Sequence, residues 1–171
     1  MAIIFPEGTQ DFPGKACQIK LGTYTSQATI NPGSSWIHSG LSVTITPTNS
    51  SNKILVLAKL EASSGNNNYI TCARLYRGTT HVSGATSPSN GSRPGTWATH
   101  GTQDYNNYGR HDLIGAYIDS PSTTSATTYR VYVRDLRDNG NIYINRGYYD
   151  ENSGSNPVGN SWMMAIELED S

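Results

Sequence analysis

The chain has 171 residues, enough for one domain that buries a real core without disulfides or metals to hold it. Its 12 Lys and Arg against 13 Asp and Glu leave a net charge of -1, so no global basic field exists to hold nucleic acid or an anionic membrane. Charged residues make up only 15%, while 11 Tyr stand against 2 Phe, which suits half-exposed strand faces and neutral, hydrogen-bonding contact loops.

Residues 1–14 contain Pro6, Gly8, Pro13 and Gly14 around the apolar triplet Ile3, Ile4 and Phe5. They read as a short extended arm that attaches the molecule to a partner, with residues 15–171 as the folded domain. The start lacks the basic and apolar regions of a signal peptide, and no run is long enough to span a bilayer, so nothing indicates secretion or membrane insertion. Cys17, Ile19 and Leu21 then alternate with Gln18 and Lys20, which predicts a first strand, and Asn31-Pro32-Gly33 predicts a turn.

In Gly40-Leu41-Ser42-Val43-Thr44-Ile45-Thr46-Pro47, apolar Leu41, Val43 and Ile45 alternate with hydroxyl residues, the period of a strand with one face in a core and one in water. Pro47 and Asn49-Ser50-Ser51-Asn52 supply turn chemistry, so the reading is a hairpin into a second strand over 53–62. There Ile54, Val56, Ala58 and Leu60 form one apolar face and Leu55 and Leu57 the other, so cover is expected on both sides, from a central position or a subunit contact.

A strand over 69–77 follows a Ser- and Asn-rich loop. Cys72 within it, like Cys17, sits in an apolar pattern with no zinc spacing; both read as buried thiols, with pairing across a sandwich as the alternative. Residues 83–107 are the least patterned, and a loop this long in a compact domain is usually functional or poorly ordered. Strands return over 112–119 and 127–135, and Asn139-Gly140 predicts a tight hairpin into 141–146. A last strand over 162–168 sets Met164, Ile166 and Leu168 against Glu167. No helical period occurs. About eight to ten short strands between turns make an all-β antiparallel sandwich of jelly-roll type.

No motif for a nucleophile and base, a phosphate loop or a metal site is present, so the chain is read as a non-enzyme without cofactor or metal. His100, Asp104, His111 and Asp112 gather in one polar segment, but their spacing fixes no coordination geometry. His38 and His81 are isolated and read as hydrogen-bonded strand or loop residues. Asp150-Glu151 reads as a solvated loop. Aromatic rings among amides, acids and guanidinium groups suit sugar contact, because rings pack on CH faces while planar polar groups bind hydroxyls. The candidate contact surface is therefore Trp97, His100, Asp104, Tyr105, Asn107, Tyr108 and Arg110, with Tyr148, Tyr149 and Asp150 as a second patch.

Residues 40–47 with Ser51-Asn52-Lys53-Ile54-Leu55-Val56 resemble the strand core of tail-fibre-like virion proteins from bacteriophages of marine bacteria and cyanobacteria. Ile4-Phe5-Pro6-Glu7-Gly8-Thr9-Gln10 is similar to the entry found before such domains, with Glu7 where Asp is usual. Arg74-Leu75-Tyr76-Arg77-Gly78, Asp119-Ser120-Pro121, Thr127-Thr128-Tyr129-Arg130-Val131, Ile142-Tyr143-Ile144-Asn145-Arg146 and Met164-Ala165-Ile166-Glu167 match further words in order. The resemblance implies a β-sandwich, commonly a homotrimer, on the exterior of a virion and without enzymatic activity. Its implied partners are its own copies, other virion proteins held by the arm through Ile3, Ile4 and Phe5, and a host-surface glycan. A capsid decoration protein and a lectin-like module outside a virion are the alternatives.

Overall fold

The computed structural model describes residues 15–64, 70–101, 110–137, 140–149, 151–154 and 156–170. Among them the chain forms eleven strands and one 3₁₀ turn. These are β1 (Ala16–Tyr24), β2 (Ala28–Ile30), β3 (Ile37–Ile45), β4 (Lys53–Ser64), β5 (Ile70–Arg77), β6 (Thr80–His81), β7 (Ala98–Gly101), β8 (His111–Asp119), β9 (Thr127–Asp135), β10 (Ile142–Ile144) and β11 (Ser161–Leu168), with the turn at Ser83–Ala85.

One sheet runs β1-β11-β4-β8, and at one end β10 replaces β11 beside β4 and β2 replaces β1. The facing sheet runs β3-β9-β5, with β6 and β7 sharing the far edge of β5. Every ladder is antiparallel. The order is that of the two interlocked Greek keys of a jelly roll. The layers meet along two seams, β1 against β3 and β7 against β8. At the first seam a side chain on Gly22 would strike the Ser42 carbonyl, so the close approach of the two edges requires glycine.

The two hairpins expected from turn chemistry do not form. β3 pairs with β9, whereas β4 pairs with β11 and β8 in the other sheet. Likewise β9 and β10 lie in different sheets, despite Asn139-Gly140 between them. Turn residues dictate that the chain reverses; which sheet the returning strand joins is decided by where its apolar face finds cover. Leu41, Val43 and Ile45 from one layer and Ile54, Val56, Ala58 and Leu60 from the other close on the same core, which a flat hairpin would not allow. Each such Leu or Ile, once fully buried, contributes about 2 kcal/mol.

The last strand alternates as expected, and the structure decides which face is inside. Ser161, Met163, Ala165 and Glu167 point into the core, and Trp162, Met164 and Ile166 point out. Cys17 is exposed rather than buried, because β1 is an edge strand whose odd-numbered side chains face away from the core; Cys72 is buried, and both thiols are free. Burial pushes the Cys72 thiol up.

Two polar networks tie the inside of the sandwich together. The Tyr129 hydroxyl donates to Asp119 Oδ2 at 2.7 Å, joining the two sheets, and Arg77 Nη1 donates to the same oxygen at 3.0 Å. Burial first, and then the Asp119 hydrogen bond and charge, raise the Tyr129 phenol. Buried Asn145 adopts φ 57°, a left-handed conformation that Asn tolerates better than most residues. Its amide donates to the carbonyls of Tyr24 and Ser26 at 2.7 and 3.0 Å and accepts from Ser161 Oγ at 2.7 Å, tying β1, β10 and β11 together.

Candidate contact surface

β4 gives the molecule its long axis. It begins with Lys53 opposite Leu168 and ends with Ser64 opposite Ile142, about 36 Å away at the usual rise per strand residue. At the first end the Glu169 amide donates to the Lys15 carbonyl at 3.0 Å, so both ends of the described chain lie there. At the opposite end Ile70 pairs with Gly101, His111 with Ala62, and the Leu136 amide donates to the Ile70 carbonyl at 3.0 Å. Of the contact residues expected from sequence, His100, Arg110, Tyr148 and Tyr149 fall at or near this second end, whereas Trp97 packs on Gly115, opposite Ala58 at the middle of β4. Asp104, Tyr105, Asn107, Tyr108 and Asp150, and the arm residues Ile3, Ile4 and Phe5, lie outside the described residues.

The described members take up distinct positions. Trp97 is half-buried in the β7–β8 seam: its indole N–H donates to the Ala116 carbonyl at 3.1 Å, and its ring lies over Gly115, where an added Cβ would collide with it. It therefore closes the sandwich there. His100 on β7 stacks on His111 at the start of β8, with ring centroids 3.4 Å apart, and bridges the same seam. Arg110 pairs with Glu61 Oε1 at 3.0 Å and donates to the Pro157 carbonyl, so its guanidinium braces two loops against β4. Lys59 extends this network to Glu61 at 3.7 Å and to Asp112 at 3.4 Å. Among the described residues, no group of three or more His, Cys, Asp and Glu is placed to hold a metal ion.

The second patch is one cluster. Tyr148 meets Tyr149 edge-on at 5.0 Å and Tyr143 at 5.6 Å, while the Arg146 guanidinium lies 4.9 Å above the Tyr143 ring. Tyr149 is 39% exposed and offers the outermost ring of this ladder.

Two surfaces were not foreseen. The outward face of the first sheet is apolar in the cross-strand rows Ile19–Ile166–Leu55–Ile118 and Leu21–Met164–Leu57–Ala116 and mixed in the row Thr23–Trp162–Lys59–Ile114. Ile19 is 58% exposed, Leu21 59% and Ile114 67%. The doubly apolar pattern of β4 was the visible part of it; the rest needed the register. The outward face of the second sheet is built instead from Arg74 and Tyr76 on β5 and Arg130, Tyr132 and Arg134 on β9.

No protein-family model matches the chain, and no curated protein matches it. Among solved structures it is similar to Eiger TNF from S. frugiperda, at 9% identity and TM-score 0.47 over 92% of this chain and 96% of that one. It is also similar to the Gt strain of infectious bursal disease virus, at 12% identity and TM-score 0.42. A mutant VP2 protein of the same virus, in T=1 particles, gives 11% identity and TM-score 0.38. The chain spans 42% and 41% of the length of these two viral chains. Similarity at this level does not extend to function; the jelly-roll assignment rests on the strand order described above. No helix among the described residues is long and apolar enough to cross a membrane.

Proposed function

We propose that the chain is a structural protein of the bacteriophage virion exterior, a short tail-fibre or appendage subunit that assembles as a homotrimer and turns its loop-bearing end toward the host surface. The role is one of assembly and recognition rather than catalysis. The observation that carries the reading is the largely apolar outward face of β1-β11-β4-β8. Three rows across four strands occupy about 400 Å² in projection, at the size of the largest patches that monomers leave in water and about half of what each partner contributes to a standard interface. Its two cations, Lys53 and Lys59, are already paired with Asp170 and with Glu61 and Asp112, so the face carries no unbalanced charge against a like face. That favours copies of the same chain over a charged partner. The order of three comes from the resemblance to tail-fibre-like proteins.

The placement of the ends supports the same reading. Lys15, where the arm joins the domain, lies at the end opposite the aromatic loops, so attachment through residues 1–14 and contact through the loops do not compete for one surface. The test is the mass of the full chain by light scattering at micromolar concentration. A trimer is expected; a well-behaved monomer removes the main support for the proposal.

A further inference from the structure

The outward face of the second sheet has an electrostatic character that the net charge hides. Arg74, Arg130 and Arg134 project from it, whereas Asp135, the acidic residue of β9, turns inward and is buried, accepting from the backbone amides of Arg137 and Gly140 at 3.0 and 2.9 Å. The outward face thus presents three arginines while this acid turns inside. At the loop-bearing end the face deepens into a pocket of about 460 Å³, within the range of small-ligand sites. Arg93 enters it from the loop before β7 and Arg134 from β9; Thr96 and Thr99 supply hydroxyls, and Ile70 and Leu136 supply apolar wall.

We infer that this pocket binds a carboxylate-bearing saccharide. Guanidinium forks match carboxylates in geometry and charge, the threonine hydroxyls match sugar hydroxyls, and the apolar wall matches the CH face of a pyranose ring. A single-stranded nucleic acid fits less well, because it needs free aromatic faces for its bases. Here the Tyr76 and Tyr132 rings stack on each other at 3.9 Å, and the Arg74 guanidinium covers Trp36 at 4.2 Å while donating to the Gly95 carbonyl. The inference deepens the host-contact reading above, from which it takes only the setting in which such a sugar is met.

The experiment titrates the full chain with trigalacturonate and with its methyl ester, which keeps the rings and removes the charge. The acid is expected to bind at least about tenfold more tightly than the ester, and more weakly as salt rises. Arg93→Gln and Arg134→Gln should each lower affinity about fivefold or more. Arg93 is an exposed loop residue whose replacement leaves the strands untouched, so it decides the matter if Arg134→Gln disturbs the sheet. Equal binding of acid and ester, unchanged binding by Arg93→Gln, or displacement of the sugar by a single-stranded oligonucleotide would overturn the assignment. Cell adhesion separates the two readings: wild-type adhesion retained in Arg93→Gln overturns the pocket and spares host attachment, whereas acid-specific binding without any adhesion spares the pocket and overturns host attachment.

Discussion

Glu167 shows how much one buried side chain does in this sandwich. It is fully buried at the arm-bearing end and accepts from Gln18 Nε2 at 2.6 Å, Asn52 Nδ2 at 2.7 Å, and the Thr48 amide and hydroxyl at 2.6 and 2.8 Å. These donors come from β1 and from the arch between β3 and β4, so one carboxylate pins that arch to the first sheet. Burial by itself would raise the carboxyl, but the hydrogen bonds from Gln18, Asn52 and Thr48 together outweigh it and hold it at about 2, below the ordinary 4.5. With the folded value below the unfolded one, the group's contribution is complete above pH 4.5 and is lost as pH falls from 4.5 toward 2. The difference amounts to about 3 kcal/mol. Denaturant unfolding followed across this range should show that slope, and Glu167→Gln should flatten it while lowering stability near neutrality by about 2 kcal/mol, since an amide meets donors with a donor. A wild-type slope in Glu167→Gln would assign the acid sensitivity to other carboxylates.

At the scale of the element, the long strands were legible and their partners were not, while β2, β6 and β7 were not read as strands at all. Alternation in β3, β4, β9 and β11 follows directly from the residues, yet in β11 the apolar set Met164 and Ile166 faces outward and the set carrying Glu167 faces the core. Period-2 patterning divides a strand into two faces without saying which is inside when both are apolar or when a charge is fully hydrogen-bonded. The same ambiguity defines the outer face of the first sheet. Leu21→Lys and Ile114→Lys replace side chains more than half exposed in the single chain, so each should alter the stability of the fold by no more than about 0.5 kcal/mol. The pair of substitutions should nevertheless convert the proposed trimer to monomer in light scattering with circular dichroism unchanged. A trimer that survives both charges would place the subunit contact elsewhere.

For the whole molecule the governing feature is its polarity. Lys15, Lys53 and Glu167 mark one end, and Ala62, Ile70, Gly101, His111, the Tyr148–Tyr149 ladder and the arginine-lined pocket lie toward the other. The core cluster of the described residues runs from Leu41 to Ala165, so removing residues 1–14 should leave the thermal midpoint within about 2 °C of the full chain, a shift smaller than that of a 1 kcal/mol change. Incorporation into particles should then fail, as scored by the presence of the truncated chain in purified virions. Normal incorporation would show that the arm is not the attachment element.

The sequence by itself determined the all-β class, the position of most strands, the burial of Leu41, Val43 and Ile45, and the double apolarity of β4, because alternation and turn residues act over a few neighbours and are written in local order. It could not determine that consecutive strands would cross between sheets, that Trp97 and His100 would seal a seam, or that Arg93 and Arg134, 41 positions apart, would line one pocket. Those facts depend on which faces find cover once two sheets close on a common core. That choice belongs to long-range packing, and only the tertiary structure makes it.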